Sequence, residues 1–148
     1  MMMQFFATLR GSEEVPPVST NASGTTTFKV SEDQRMMHYQ LTVNNLANLT
    51  EAHIHLGRRG ENGPVVVFLF GPVDRGITVS QGIVRGTVSQ RDLVGPLAGQ
   101  PFSDLLAQMQ AGTTYVNVHT KRHPAGEIRG QISHSKKVMA RPTEDQEL

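Results

Sequence analysis

The chain has 148 residues, no cysteine and a formal net charge of +1. This length predicts one domain with its own hydrophobic core, and the lack of cysteine excludes disulfides, thiolate metal sites and cysteine nucleophiles. The basic residues are scattered in pairs, so we expect no nucleic-acid partner, and no apolar run approaches the roughly 18 residues needed to span a bilayer.

The first part of the chain alternates between extended segments and turns. Residues 1–7 lack the charged and apolar regions of an export signal, so we read no signal peptide here. Residues 4–9 predict a strand, but the two prolines within 12–18 predict an extended loop, because proline cannot donate to a β-ladder. β-Branched residues favour a strand over 25–30, and strict alternation of apolar and polar residues predicts another over 36–43.

The next predicted strand, 51–57, carries two histidines separated by one apolar residue. It follows a polar connection over 44–50. Successive side chains of a strand point to opposite faces, so His53 and His55 lie on the same face. This spacing on a rigid element is suited to chelation.

The middle of the chain contributes two more strands and the predicted helix. Residues 64–70 are apolar on both sides, which indicates a strand that is covered on both faces. Residues 82–88 read as a strand interrupted by glycine. A helix is expected at about 101–111, with proline in the first turn, Gly112 after its end and apolar residues at helical spacing.

Two final strands are predicted at 114–120 and 127–133, joined by a loop. In the first of them His119 shares a polar face with Tyr115 and Asn117, and we expect the polar side of the last strand to continue that face. About eight short strands predict an antiparallel Greek-key β-sandwich with one short helix, filling a domain over 1–134. Residues 135–148 lose all apolar periodicity and are expected to form a disordered tail.

Several of these segments resemble the CHRD (chordin-type) domain. The resemblance covers about residues 4–133 and lies in the Gly-Ser-Glu-Glu-Val-Pro-Pro stretch at 11–17, the histidine strand at 52–57, and the two final strands. It implies the fold of that family and an extracellular habit. Such domains are repeated in an animal inhibitor of secreted growth factors, whereas bacterial single-domain members have no settled activity to carry over.

The order of the histidines is also similar, more distantly, to the copper site of Cu,Zn superoxide dismutases. That likeness implies copper-ligand positions at His53, His55 and His119, and an anion-guiding role for Arg129. The chain lacks the cysteine pair of those enzymes, and the segment 58–63 is too short for a zinc subsite. The likeness is therefore compatible with a Greek-key sandwich that binds a single metal ion, and not with a site for two metals.

Three strand histidines suit one copper or zinc ion, because neutral imidazole binds both metals well. The alternative is that His53 and His55 are polar-face strand residues that hydrogen-bond to Glu127 or Asn117. His123 is a candidate fourth ligand or supporting group. Glu51, Glu127 and Arg129 would form an ion-pair network, or else would orient a ligating imidazole or position an anion.

We therefore hypothesise a metal-binding protein used for metal holding or redox protection, and assign no catalytic residue. If it is an enzyme, the reaction is superoxide dismutation by a lone copper ion. The alternative is a non-catalytic interaction or structural module at a cell or spore surface. No motif indicates a nucleotide cofactor. The apolar strand at 64–70 suggests self-association, and the compartment stays open.

Overall fold

The computed structural model describes residues 3–134, so the predicted tail at 135–148 lies outside the described residues. Within the described part, seven strands and one α-helix form the fold. They are β1 (Gln4–Arg10), β2 (Ser23–Val30), β3 (Met36–Leu56), β4 (Val65–Phe70), β5 (Ile77–Ser89), α1 (Phe102–Gln110), β6 (Thr114–Thr120) and β7 (Ile128–Gln131). The prediction of an all-β fold with a short helix is confirmed.

Five of the strands close into a ring in which every pair is antiparallel. Going round the ring, β1 pairs with β2, β2 with β3, β3 with β6, and β6 with β7. β7 then meets β1 at Arg10 and Arg129, and four residues further along Phe6 and Ser133 exchange backbone hydrogen bonds of 2.7 and 2.9 Å. β4 and β5 pair with β3 outside the ring. The expected sandwich of about eight strands is thus wrong in detail, since seven strands form one sheet with a closed five-stranded barrel.

The strand count differs because β3 is a single strand of 21 residues where the sequence predicts two strands and a connection. Within the predicted connection, Asn45 and Asn48 adopt left-handed backbone conformations with φ of 55° and 56°, which asparagine tolerates better than most residues. The register with β5 shifts between Leu46 and Leu49, and the register with β6 shifts between Leu49 and Glu51. β3 therefore stays hydrogen-bonded to neighbouring strands through this region while its pairing passes from one set of strands to another.

The partner exchange divides β3 into two functional halves. The first half pairs with β2 and β5, and the second half, which carries His53 and His55, pairs with β6 and β4. The two histidines therefore lie beside β6 and its His119. The irregularity at Asn45 and Asn48 thus separates the half of β3 that pairs with β2 and β5 from the half that carries the two histidines.

The core fills the barrel and extends beneath the helix. Phe5, Phe28, Leu41 and Ile54 are fully buried strand residues. The helix contributes one apolar face to the same cluster, consisting of Phe102, Leu105, Leu106 and Met109. No helix within residues 3–134 has the length and apolar character required to cross a membrane.

Exposure differs from the sequence pattern in two strands. The polar face of β6 that carries Tyr115, Asn117 and His119 is not open to solvent as a polar strand face usually is, because every residue of this strand is buried. Residues 57–63 lie over this face, where the backbone N–H of Gly63 donates to the Tyr115 hydroxyl at 3.0 Å. In β4, which was expected to be covered on both faces, Phe68 is 46% exposed.

The closure between β1 and β7 predicts the effect of a small change at Gly130. A Cβ atom at this position would collide with the backbone carbonyl oxygen of Thr8. Because backbone atoms cannot rotate away, we expect Gly130→Ala to lower the free energy of unfolding by about 1–3 kcal/mol. Chemical denaturation measures this, with Thr25→Ala at an exposed position of β2 as the control that changes stability little. Equal stability of the two variants would contradict the closure described here.

Candidate metal centre

Three histidines converge on one point at the boundary of β3 and β6. His53 and His55 share a face of β3, and the register places Glu51 opposite His119 and His53 opposite Asn117. One ring nitrogen from each histidine lies within 4.8 Å of the others. The three residues are only 4%, 7% and 9% exposed, so the convergence occurs in a largely dehydrated site.

The other ring nitrogen of each histidine is held by an oxygen atom. His53 Nε2 lies 2.8 Å from Glu51 Oε1, His55 Nδ1 lies 2.8 Å from the Gly63 carbonyl, and His119 Nδ1 lies 2.8 Å from the Pro124 carbonyl. Carbonyl and carboxylate oxygens accept hydrogen bonds and do not donate them. Each of these nitrogens therefore carries the proton, and the lone pair of each neutral ring belongs to the nitrogen that faces the site.

The inward-facing nitrogens are His53 Nδ1, His55 Nε2 and His119 Nε2, and they lack ordinary partners. His53 Nδ1 and His119 Nε2 are 3.2 Å apart, and with their other nitrogens protonated these two atoms face each other as acceptors. His55 Nε2 is buried with no hydrogen-bond partner in the described residues. Facing lone pairs and a buried unpaired acceptor are unfavourable unless a cation or a hydrogen-bond donor such as water lies between them.

The distances suit a tetrahedral ion after a small adjustment. Zinc bonds to histidine nitrogen at about 2.0–2.1 Å, which puts two ligand nitrogens of a tetrahedral site about 3.3 Å apart. The His53 and His119 pair already has this separation at 3.2 Å. The full set spans up to 4.8 Å, so binding requires the most distant nitrogens to draw together by about 1.5 Å.

Burial also favours the neutral, metal-binding form of two of these rings, those of His53 and His55. Desolvation lowers the pKa of His53, with a further contribution from His119. Desolvation likewise lowers the pKa of His55 to about 4, and His53, His119 and Arg129 add repulsion between positive charges. A metal competes with protons for the imidazole lone pair, so a lowered pKa favours metal binding at neutral pH.

A stack of side chains fixes the orientation of His55. Its ring lies parallel to Tyr115 with 4.8 Å between centroids and 8° between planes, and Arg129 Cζ lies 3.5 Å from the centroid of the Tyr115 ring. Gly63 holds both rings, because its N–H donates to the Tyr115 hydroxyl while its carbonyl accepts from His55. On the outer side of the site, Phe68 meets His53 edge to face at 4.6 Å.

Arg129 is buried and anchors residues 57–63, the covering loop, which lies over the polar face of β6. It is 1% exposed, and its guanidinium donates to the carbonyls of Arg58 and Glu61 at 2.9 and 2.7 Å and to Asn62 Oδ1 at 3.2 Å. These contacts hold the segment that positions the Gly63 carbonyl. They favour a structural role for Arg129 over the anion-guiding one.

The structure places the remaining predicted residues around the site and not in it. His123 is absent from the converging group and lies in the loop after β6, where its backbone bonds to Thr120 and Gly126. Glu127 accepts from Thr20 and Thr120 at 2.7 and 2.9 Å, so within the described residues it pairs with hydroxyls and not with Arg129. Asn117 is buried with its Oδ1 unpartnered.

Sequence reasoning missed the two backbone carbonyls that orient His55 and His119, because a carbonyl leaves no residue-type signal. It also missed Glu14, which is 5% exposed. Burial raises the pKa of the Glu14 carboxyl to about 7, against opposing effects of Arg129 and of a hydrogen bond with Asn117. The only sequence signal for Glu14 is its place in the stretch at 11–17 that resembles the CHRD domain.

Comparisons with known proteins agree with the motif resemblance. The model of the CHRD domain matches residues 5–132. The chain is 32% identical over 132 residues to Chordin from Xenopus laevis and 34% identical over 119 residues to Chordin from Danio rerio. These matches cover 84% and 79% of this chain, but only 12% of the length of each relative.

The raised pKa of Glu14 predicts a specific pH dependence of stability. The folded state keeps the proton up to about pH 7, whereas the unfolded state releases it near the ordinary glutamate pKa of 4.5. Stability from this group is therefore lost as pH rises from 4.5 through 7, and is constant below and above that window. Glu14→Gln cannot release a proton, so we expect its stability relative to the original chain to increase with pH across the window.

Chemical denaturation at about pH 3.5 and about pH 8, on either side of the window, measures this difference. Glu32→Gln removes an acidic group at an exposed position and should follow the original chain at both values. A Glu14→Gln variant with the pH dependence of the original chain would show that the Glu14 carboxyl titrates alike in the folded and unfolded states.

Proposed function

The chain belongs to the CHRD domain family, and we propose that this member of it binds one transition-metal ion, copper or zinc, through His53, His55 and His119. The observation that carries the proposal is the convergence of one ring nitrogen from each histidine, while the opposite nitrogen of each ring lies 2.8 Å from an accepting oxygen. Histidine ligands of metal sites are generally oriented by such outer hydrogen bonds.

The donor set supports copper and zinc above other metals. Three neutral imidazoles suit both ions, whereas calcium and magnesium prefer oxygen ligands. Copper stands above zinc in the general affinity order of divalent metals. Three protein ligands would leave one position of a tetrahedral ion to water or to another molecule.

We propose metal holding or redox protection as the use of this site. Superoxide dismutation by a lone copper ion is the reaction to assay if the loaded protein turns over. The burial of Arg129 and its three hydrogen bonds to the covering loop weigh against its attracting an anion. These features of Arg129 support metal holding over superoxide dismutation.

A non-catalytic interaction module is the second candidate, and one observation favours it. The matched relatives are much longer proteins of which this chain corresponds to 12%, as expected for a domain that serves a larger assembly. Under this alternative the protein would act at a cell or spore surface. An extracellular location is compatible with either candidate and stays a prediction from the family resemblance.

Removal of a ligand separates the two candidates. We expect the metal-free protein to take up one equivalent of Cu(II) or Zn(II) in a calorimetric titration, and the His53→Ala and His119→Ala variants to lose stoichiometric binding. His38→Ala is the matched control, because His38 lies exposed in the other half of β3 and should bind like the original chain. Circular dichroism checks that each variant is folded.

Elemental analysis of protein purified without a metal-affinity tag identifies the metal that is carried from the cell. Absence of stoichiometric binding in the folded original chain would contradict the metal proposal and leave the interaction module.

Glu51 provides a finer test, because it acts through His53. In the Glu51→Gln variant the amide oxygen can still accept from His53 Nε2 but carries no charge, so it makes the imidazole a weaker ligand. We expect this variant to reduce metal affinity roughly 10- to 100-fold with one equivalent still bound at saturation. Asp104→Asn, which makes the same charge change on the exposed side of α1, should leave affinity unchanged. Equal metal affinities of Glu51→Gln and Asp104→Asn would show that Glu51 does not contribute to metal binding.

A further inference from the structure

The outer edge of β5 is a long unpaired edge. β5 has 13 residues and pairs with β3 along one side, and no strand within residues 3–134 pairs with its other side. The neighbouring edge of β4 is covered instead, since Val67 bridges to Leu93 and Val94 N–H donates to the Val66 carbonyl at 2.8 Å. An open strand edge presents backbone donors and acceptors that can pair with another chain.

β5 also lacks the features that usually protect such an edge. It contains no proline and no lysine, and Arg85 is its one charged residue. Ile77 and Ile83 are 43% and 49% exposed. Proteins commonly guard open edges with charges, prolines or short strands, so this edge has the properties of an interface.

We propose that β5 pairs with β5 of a second copy of this chain, antiparallel and about a two-fold axis at Ile83. Ile83 is the middle residue of the strand Ile77–Ser89, so this register pairs the whole strand. It joins the two sheets into one continuous sheet, with the same patch contributed by each copy.

The charge pattern favours a second copy as the partner. In this register Ile83 meets Ile83 across the axis, and Arg85 lies opposite the partner's Gln81. Side chains directly opposite in a sheet interact, and like charges there are unfavourable. Arg85 therefore lies opposite the Gln81 amide of the other copy and not opposite the other Arg85. The two-fold axis makes this pair twice. Arg85 already makes one bond of this kind, since its Nε donates to Gln40 Oε1 at 2.9 Å.

The interface is separate from the histidine site. β5 pairs with β3 through residues 36–49, whereas His53 and His55 lie in the half that pairs with β4 and β6. Pairing of two copies along β5 therefore does not involve the candidate metal centre, and the pairing can be tested on metal-free protein.

A single introduced cysteine tests the register, because the chain has none of its own. We expect Ile83→Cys to form a disulfide-linked dimer when oxidised with diamide, since opposite residues of paired strands lie within disulfide range. Thr87→Cys is the matched control on the same exposed face. Its two copies would be about eight residues out of register, roughly 26 Å apart, so it should stay monomeric on a non-reducing gel. Equal cross-linking of both variants, or of neither, would overturn the proposal.

Sedimentation measurements test the same pairing without cysteine. The original chain should be in a concentration-dependent equilibrium with a dimer. Gln81→Glu should tighten that dimer severalfold by facing Arg85 with an acid, and Gln81→Lys should weaken it by facing Arg85 with a base. A monomeric mass throughout, as expected if another part of the chain covers the edge, would overturn the proposal, as would a dimer that is insensitive to the charge at position 81.

Discussion

The candidate site depends on three hydrogen bonds that each fix one imidazole ring. Glu51, Gly63 and Pro124 supply the accepting oxygens, each 2.8 Å from a ring nitrogen. These bonds determine which nitrogen carries the proton and therefore where the three lone pairs point. Without them the same histidines could rotate or change tautomer, and their closeness alone would imply little about metal binding.

Each accepting oxygen comes from a different part of the fold. Glu51 precedes His53 by two residues on β3, so the strand itself directs it to the same face. Gly63 lies in the covering loop, which is anchored by Arg129, while Pro124 lies in the loop between β6 and β7. The irregular residues of β3 bring these parts together, because they let one strand change partners and place its second half beside β6.

The sequence predicts the elements of this arrangement better than their connections. Alternation correctly puts His53 with His55 and His119 with Tyr115, since the period of a strand is a local property. The continuity of β3 through Asn45 and Asn48 could not be predicted, because polar residues there equally indicate a turn. Closure of the barrel, burial of the polar face of β6 and the accepting carbonyls depend on contacts distant in sequence. Phe68 and Arg129 show the same limit, since residue type alone suggests a buried phenylalanine and an exposed arginine.

The most direct test of this account is the protonation of each ring nitrogen, measured by long-range 1H–15N correlation spectra of the metal-free protein at neutral pH. The account predicts a protonated Nε2 in His53 and a protonated Nδ1 in His55 and His119. Addition of Zn(II) should then shift the opposite nitrogen of all three rings together. Other tautomers in the folded protein, or a metal response confined to one ring, would contradict the convergence of three lone pairs on one ion.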